Sequence, residues 1–377
     1  MKDAAPPIDV SVLVNTYRRP RHLAIVLESI ALARATGVMI EIVVSDDGSA
    51  DDTAQVVRDF AAHAPCPVRF TSQPHEGFRL ARVRNEAARL ARGAYLLFLD
   101  GDCAIPRHHV AAHLARRRRG TALLGFCARL PEATSRLLVP ENLSFTSLAD
   151  LVPDSERARL SRRHRKAWWH SALRHPTKPR LAGGDFGVWR DDFRRVNGFD
   201  ERFVGWGQED DDLGLRLRAA GVRLESILDR TFSLHIWHES DPTATPRWRD
   251  GPNVAYFERR GRLTACRHGL QERAAADVIW GLPDDVAATP LGRELLRHLA
   301  GARLAPPGAA CEIDVVIRPG RATFTRPAEC RLAIHAVEAC PDSALNAAAD
   351  QVLVVPDLPH LAAALDAAGT RPPPTST

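Results

Sequence analysis

The chain has 377 residues, of which 45% are hydrophobic and 26% charged, and its formal net charge is +5. This balance excludes a fibrous or largely disordered protein, and the length suits two to three units or one large α/β unit with an appendage. The small positive excess is compatible with an anionic partner but does not select one.

Along the first hundred residues, short apolar runs alternate with helical patterns. Runs rich in β-branched residues at 9–15 and 40–44 predict buried strands, and the stripe that follows Pro20 predicts a helix between them. The alternation continues with a helix at 51–63, a strand at 68–71, a helix at 80–92 and a strand at 95–99. This order predicts an α/β fold with a mostly parallel, doubly wound sheet and with ligands at the carboxyl ends of the strands.

The regular alternation breaks after Gly125. Residues 131–180 show no clear periodicity, and from Arg157 to Arg180 there are nine Lys or Arg and no acid. We interpret this segment as a mobile loop or acceptor region that could close over an anionic group, with a plain surface loop as the alternative. Order returns at 183–199, with a helix at 209–220 and a strand at 222–228.

Beyond about residue 271 the composition becomes rich in alanine. We predict a small C-terminal α/β appendage there, ending in a frayed, proline-rich tail. Its predicted elements are strands at 313–317, 331–336 and 351–355 and a helix at 360–368.

The seven cysteines are scattered and include no CxxC pair, so we expect reduced thiols and neither a disulfide framework nor a zinc site. The N-terminal residues lack a signal-like apolar stretch, and no segment reaches the ~18 apolar residues of a membrane span. We therefore expect a cytoplasmic location, with peripheral association at the inner face of the membrane as an open alternative.

Asp100-Gly101-Asp102 follows the apolar run YLLFL. Carboxylates at i and i+2 of an extended segment point to the same side, and the glycine lets a ligand approach the backbone. Such oxygen ligands suit Mg²⁺ or Mn²⁺ that also holds phosphate. An isolated pattern of this kind is more often a surface turn, but its place after a core strand favours the metal interpretation.

Four consecutive acids, Glu209 to Asp212, open a predicted helix after Trp206. Acids in the first turn of a helix often do no more than interact favourably with the helix dipole, but four consecutive acids exceed what that interaction requires. Glu209 and Asp210 could face a cleft, where a carboxylate can act as general base toward a hydroxyl group. Trp206 could offer a flat face to a ligand or serve equally well in the core.

His235 and His238 follow another predicted strand and precede Glu239. They could complete a metal site. On a continuing strand, residues at i and i+3 point to opposite faces, so both would bind only if the chain turns there. Of the two, His238 is the stronger candidate.

Polar residues also follow the first two strands and open the third helix. The segment from Asn15 to Arg18 places polar backbone and an aromatic ring at a strand end, and Asp46 and Asp47 could hold a base or ribose hydroxyl or simply cap a turn. Three arginines near the start of the next helix could face phosphate. They are Arg79, Arg82 and Arg84.

Taken together, the motifs NTYRRP, SDDGS, GFRLARVRN, LFLDGDC, GGDFGVWR, NGFDERFVGWGQEDDDLGLRL and HIWH resemble the family 2 glycosyltransferases of GT-A fold. The second half is also similar to the galactosyltransferase-type C-terminal segment of β-1,4-galactosyltransferases and chondroitin-polymerase-like enzymes. The resemblance covers roughly 9–240, and the joint order of its motifs is specific. It implies a GT-A domain over 1–270, with a nucleotide-binding half at about 9–125 and an acceptor half at about 181–245, and it gives 271–377 no role.

By this resemblance the chain is a metal-dependent inverting hexosyltransferase that uses Mn²⁺ or Mg²⁺ and a nucleotide-diphosphate sugar, with UDP as the expected carrier. Asp210 matches the catalytic base. The implied acceptor-binding residues are Glu209, Asp211 and Trp206, and the implied metal ligands are Asp102, His238 and His235, the last at a position where related galactosyltransferases have methionine. The implied donor-binding residues are Thr16, Tyr17, Arg18, Asp46, Asp47, Arg82, Arg84, Asp100, Gly183, Gly184 and Asp185.

Two other classes stay open on the sequence. A sugar nucleotidyltransferase would share the sheet and a metal-bound acid, but its glycine-rich loop is missing from NTYRRP. A catalytically weak sugar- or nucleotide-binding module would not need Asp102, Asp210 and His238 together. The basic runs lack a recognition motif, so we expect no nucleic-acid partner. The donor sugar, the acceptor, which we expect to be a glycan or glycoconjugate, and the oligomeric state are not fixed by these motifs.

Overall fold

The computed structural model divides the chain into two compact units, Met1–Asn253 and Val254–Thr377. The boundaries predicted from the sequence, 1–270 and 271–377, stay a prediction. The C-terminal tail and the helix predicted at 360–368 lie outside the described residues. The residues that the structure describes are 7–33, 35–239, 250–257, 264–273, 277–309, 311–318, 323–324, 326, 328–336, 343–349 and 351–355.

The first unit contains a seven-stranded sheet and a three-stranded sheet. Its strands are β1 (Val10–Thr16), β2 (Ile40–Asp46), β3 (Val68–Ser72), β4 (Tyr95–Asp100), β5 (Cys103–Ala104), β6 (Thr121–Leu124), β7 (Cys127–Arg129), β8 (Asp185–Trp189), β9 (Arg223–Ser226) and β10 (Ser233–His235). The large sheet has the order β3-β2-β1-β4-β8-β6-β9, and the small one has the order β5-β10-β7. In the large sheet only β8 runs antiparallel to its neighbours. The predicted α/β class with a mostly parallel sheet is therefore confirmed.

The described helices between residues 20 and 257 are α1 (Pro20–Leu32), α2 (Thr53–His63), α3 (Leu80–Leu90), α4 (His109–Arg116), α5 (Glu132–Leu137), α6 (Asp154–Ala172), α7 (Arg190–Arg195), α8 (Glu209–Ala219) and α9 (Pro252–Phe257). Of these, α1, α2 and α3 follow the predicted alternation, and α8 matches the helix predicted at 209–220. Pro20 opens α1, where its missing N–H costs nothing, and Leu23, Val26 and Ile30 are buried in the core beside β1. Short 3₁₀ turns lie at Pro140–Asn142 and Leu148–Leu151.

Helix α6 corrects the loop interpretation of residues 131–180. It is 19 residues long and is rich in arginine and alanine, which favour helices. Its burial is confined to few side chains, Leu160 and Ala167 among the fully buried ones. Because so little of the surface of α6 is buried, its apolar residues do not recur at helical spacing. This explains why the hydrophobic periodicity of the sequence did not predict the helix.

Strand register brings the polar strand ends together. In the pairing of β1 with β2, Thr16 lies opposite Asp46, and in the pairing of β1 with β4, Asn15 lies opposite Asp100. Because these strands are parallel, their carboxyl ends share one edge of the sheet, as the sequence predicted.

The second unit is a smaller α/β unit. Its strands are β11 (Ile279–Gly281), β12 (Arg303–Leu304), β13 (Cys311–Arg318), β14 (Ala328–Ala336) and β15 (Gln351–Val355), and its helices include α10 (Pro290–His298) and α11 (Ser343–Ala348). The sheet is parallel with the order β12-β11-β13-β14-β15. Trp280, Leu295 and Leu332 belong to its core. The predicted α/β appendage is confirmed for the described residues.

Among the helices that the structure describes, none combines the length and apolar character needed to cross a membrane.

Candidate active site

The small sheet brings two histidines to the carboxylate that follows β4. His235 pairs with Cys103 across β10 and β5, and the Ile236 amide donates to the Asp102 carbonyl at 2.9 Å. The Asp102 carboxylate lies 3.9 Å from His235 Nε2 and 3.3 Å from His238 Nε2. Both histidines therefore reach one carboxylate, since the chain leaves its strand after His235.

Arg19 also contacts this carboxylate, with its Nη1 donating to Asp102 Oδ2 at 2.5 Å. Burial by itself raises the pKa of Asp102, but the contacts with His238, His235 and Arg19 prevail and hold the pKa below its usual range. One carboxylate oxygen and two imidazole nitrogens, all within 4.8 Å of one another, form a ligand set suited to a divalent ion such as Mn²⁺ or Zn²⁺.

Arg84 of α3 forms the centre of a second cluster. Its side chain is 2% exposed, and its guanidinium donates to Asp210 Oδ1 at 2.7 Å and to Asp100 Oδ1 at 3.1 Å. A third carboxylate, that of Glu209, lies 3.9 Å away. Asn15 donates to the same Asp100 oxygen at 3.0 Å. One buried cation therefore holds three carboxylates from two distant parts of the chain.

Asp210 is held from a second side by the Gly183 amide, which donates to its Oδ2 at 2.8 Å. A Cβ on Gly183 would lie 2.2 Å from Asp210 Oδ1 and 2.3 Å from Arg84 Nη1, so only glycine permits this approach. The Asp210 side chain remains 26% exposed. Loss of solvent around its carboxyl raises the pKa of Asp210, although Arg84 and Gly183 favour the ionised form.

Glu209 begins α8 and is 6% exposed. Burial, followed by the charge of Asp210, raises the pKa of Glu209 to about 8. Its Oε2 is buried and has no hydrogen-bond partner in the described part of the chain. The raised pKa favours the protonated form of the Glu209 carboxyl, which has a hydrogen to donate.

The other two predicted acceptor-binding residues have protein contacts of their own. Asp211 forms an ion pair with Arg180 at 3.1 Å. Trp206 stacks on Phe78, with ring centroids 4.5 Å apart and planes at 23°. One face of the Trp206 indole is therefore covered by another aromatic ring.

The ends of β1 and β2 form a polar corner. Tyr17 stacks on His75 with centroids 4.4 Å apart, and the Arg18 guanidinium lies over the Tyr17 ring. Asp46 accepts hydrogen bonds from Ser49 and Ser72, and Asp47 accepts one from Gln73. Burial raises the pKa of Asp47. Thr16 is buried, and its Oγ1 lacks a partner among the described residues.

A cleft of about 880 Å³ opens beside Arg84 and Asp210. This volume lies in the range of small-molecule sites. Asp100, Gly183, Gly184 and Trp206 also line it, and α6 contributes a basic wall of Arg163, Lys166 and His170. The cleft therefore combines carboxylates on one side with positive charge on another.

Two predicted donor-binding residues do not join these clusters. Arg82 is half-buried on α3, while the carboxylate network passes through Arg84. Asp185 borders the cleft through its strand, but its side chain is 1% exposed and lies beside His109 and His113. The roles of both stay predictions.

Sequence reasoning did not single out Arg19, His75, Phe78 or the cleft-facing side of α6. Arg19 stands in the quoted NTYRRP motif next to Arg18, so its position after a strand end was a usable signal. His75 and Phe78 follow β3 in the loop before α3, and nothing in their local pattern indicates an aromatic partner.

Comparison with known proteins agrees with this architecture. Residues 11–144 match the model of Glycosyl transferase family 2, and residues 168–239 match the model described as the N-terminal domain of galactosyltransferase. The two matched segments carry the strand-end residues, α8 and the two histidines described above. Over residues 11–144 the chain is similar to the family 2 glycosyltransferases.

Several relatives and solved structures can be compared in detail. Validoxylamine A glucosyltransferase of Streptomyces hygroscopicus subsp. limoneus is 34% identical over 251 residues, which cover 61% of this chain and 52% of that protein. Chondroitin synthase of Escherichia coli is 27% identical over 233 residues, which cover 58% of this chain and 33% of that protein. The matches thus span about half or less of these relatives.

Among solved structures, the mannosyltransferase PcManGT from Pyrobaculum calidifontis, in complex with GDP-Man and Mn²⁺, is 20% identical with a TM-score of 0.41, covering 59% of this chain and 55% of that one. GalNAc-T7 with UDP, GalNAc and Mn²⁺ is 17% identical with a TM-score of 0.45, covering 67% of this chain and 50% of that one. Both likenesses are distant.

Proposed function

We propose that this chain is a metal-dependent, inverting hexosyltransferase that moves a sugar from a nucleotide-diphosphate donor, with UDP as the expected carrier, to a hydroxyl of a glycan or glycoconjugate. The observation that carries the proposal is the position of Asp210. Its carboxylate is fixed by Gly183 and Arg84 at the wall of the cleft, and Arg84 connects it to Asp100, two residues before Asp102.

Asp102, His235 and His238 would hold the metal ion. Their donor atoms converge, and the low pKa of Asp102 keeps its oxygens available as ligands at neutral pH. A bound divalent ion would neutralise the charge that grows on the departing nucleotide diphosphate. Arg19, which already supplies positive charge to this carboxylate, would lie near the same phosphates.

Asp210 would accept the proton of the acceptor hydroxyl as that oxygen attacks the anomeric carbon. The new bond to carbon forms as the bond from that carbon to the diphosphate oxygen breaks, which inverts the anomeric centre and needs no covalent enzyme intermediate. Burial favours this role because it makes Asp210 more basic than an exposed aspartate. Glu209, Asp211 and Trp206 would orient the acceptor, with protonated Glu209 as a hydrogen-bond donor.

The polar corner at the ends of β1 and β2 would hold the nucleoside. The stacked Tyr17 and His75 rings offer an aromatic platform beside a base. Thr16, nearby on β1, has a hydroxyl oxygen without a hydrogen-bond partner among the described residues. Asp46 and Asp47 accept hydrogen bonds from neighbouring side chains. They would therefore fix the conformation of this polar corner as well as contact the nucleoside.

The first test is a panel of UDP- and GDP-sugars, with and without Mn²⁺, in which nucleotide release is followed with and without acceptor. The first combination in the panel is a glucosyl donor with validoxylamine A as acceptor. The reason is that one relative, 34% identical to this chain, is named validoxylamine A glucosyltransferase. We expect metal-dependent release that rises with acceptor. Binding without turnover across the panel would favour a binding module instead.

Asp210→Asn and Asp211→Asn form a matched pair, since each removes one neighbouring carboxylate. Loss of the general base should lower kcat in Asp210→Asn by about 10²- to 10⁴-fold. Asp211→Asn should act mainly on the KM of the acceptor. Equal kcat for Asp210→Asn and the unaltered chain would remove Asp210 from the mechanism.

A further inference from the structure

A group of buried metal-ligating side chains is separate from the clusters at Arg84 and Asp102. His109 and His113 stand one helical turn apart on α4, and Asp185 opens β8. None of the three is more than 1% exposed. Side chains at i and i+4 share one face of a helix, the spacing at which two histidines can bind one ion.

The three atoms that converge face each other and make no hydrogen bond to a described residue outside the group. His109 Nε2, His113 Nε2 and Asp185 Oδ1 are buried without a hydrogen bond among the described residues. Every other polar atom of these side chains has a contact, because His109 Nδ1 lies 2.8 Å from Thr231 Oγ1, His113 Nδ1 lies 3.4 Å from the Tyr95 hydroxyl, and the Ser233 amide donates to Asp185 Oδ2 at 3.1 Å. Buried polar atoms are rarely left unpaired, so three that face each other indicate a missing ligand.

The spacing of these atoms suits three of the four ligand positions around a tetrahedral ion. Asp185 Oδ1 lies 3.3 Å from His109 Nε2 and 3.8 Å from His113 Nε2. Zinc binds imidazole nitrogen and carboxylate oxygen at about 2.0–2.2 Å, which separates tetrahedral ligands by about 3.3 Å. The contacts of the Nδ1 atoms also match metal sites, in which the second nitrogen of a ligating histidine is held by a hydrogen bond.

A fully buried carboxylate is costly without a positive partner. In the part of the chain that the structure describes, the ionisable groups within 4 Å of the Asp185 carboxylate are His109 and His113. The positive charge therefore comes either from a proton on a histidine or from a bound cation. We propose that His109, His113 and Asp185 form a buried structural site for one Zn²⁺ ion, separate from the cluster at Asp102. The cysteine pattern could not indicate this site, because none of its ligands is cysteine.

The site would stabilise the frame that carries the active-site histidines. It joins α4 to β8, and through Thr231 and Ser233 it contacts the segment that enters β10 and leads to His235. Gly125 packs against the carboxylate of Asp185, where a Cβ would lie 2.5 Å from Oδ1. A bound ion would therefore fix the start of the small sheet from inside the fold.

The test measures tightly bound metal in the full chain carrying Asp102→Asn, which disables the other cluster. After loading with ZnCl₂ and dialysis against EDTA, elemental analysis should find one zinc per chain, and this ion should be lost in the added variant His113→Gln. His108→Gln is the matched control, because His108 is the exposed neighbour of His109 and should leave the zinc in place.

Replacement of zinc by Co²⁺ gives a second readout that needs no variant of the cluster. The cobalt-loaded Asp102→Asn chain should show the visible absorption of tetrahedral Co²⁺ and a higher Tm than the metal-free chain. The proposal would be overturned if the folded Asp102→Asn chain retained no zinc and showed no cobalt spectrum. The group would then hold a proton shared between a histidine and Asp185 instead of a metal ion. Retention of the ion in folded His113→Gln would overturn it equally.

Discussion

Arg84 is the residue on which the charge balance of the cleft depends. It is almost completely buried and faces Asp100, Glu209 and Asp210. Removal of one partner from a buried ion pair is costly, because the opposite charges stay behind without compensation. The arginine therefore contributes to the stability of the fold as well as to the alignment of Asp210.

Arg84→Gln should lower the free energy of unfolding by about 3 kcal/mol or more. Arg82→Gln is the matched control on the same helix, and because Arg82 is only half-buried it should change stability by about 0.5 kcal/mol or less. Urea unfolding followed by circular dichroism measures both variants. Equal effects of the two substitutions would contradict the central role of Arg84.

Glu209 should make stability depend on pH. Its pKa is about 8 in the folded chain against an ordinary value near 4.5, so the folded state holds a proton that the unfolded state releases between these values. Stability should therefore fall as pH rises from about 5 to about 9, by on the order of 1 kcal/mol or more from this residue.

Glu209→Gln removes that ionisation and should flatten the stability profile over this range. The measurement is urea unfolding of both chains at a series of pH values. An unchanged slope in Glu209→Gln would show that Glu209 does not carry a raised pKa.

Among the elements, α6 differs most from its sequence-based interpretation. Its basic side chains were noted, but whether they faced solvent or a site depended on the rotation of the helix. The structure turns Arg163, Lys166 and His170 toward the cleft and leaves Arg162 and Arg165 exposed outside it. A charge run has no period of its own, so only packing could decide which side chains line the cleft.

This division of α6 gives a test with a control on the same helix. Lys166→Gln should weaken the binding of UDP about threefold, a loss typical of a partly exposed charge contact, and the loss should shrink at high salt. Arg165→Gln carries the same charge change away from the cleft and should leave affinity unchanged. Calorimetric titration at two salt concentrations compares them, and an equal loss in both variants would indicate only a general effect of net charge.

At the scale of the whole molecule, every contact described for the candidate active site joins residues of the first unit, up to Asn253, which donates to the Gly207 carbonyl at 3.0 Å. A chain that ends at residue 270 should therefore bind UDP with an affinity within about threefold of the full chain. Calorimetric titration of both chains, after circular dichroism confirms folding, makes the comparison. A folded shorter chain without UDP binding would assign the second unit a part in the site.

Much of the architecture was determined by the sequence alone. Hydrophobic period and turn residues are local properties, so the strands and helices from β1 to β4 and the strands β13, β14 and β15 lie close to their predicted positions. Parallel strands place their carboxyl ends on one edge, so the sequence also predicted that Asp46, Asp100 and the segment after Asn15 would gather there. Their functional roles remain predictions.

Only the tertiary structure decided which charged groups meet. Arg84 and Asp210 are 126 positions apart, and their contact depends on how α3 and α8 approach β4 and on a glycine at 183 that leaves room for it. The buried group of His109, His113 and Asp185 likewise arises where a helix crosses a strand distant in the chain. Local sequence encodes the period of an element and its ends, whereas these sites depend on distances across the fold that no local pattern contains.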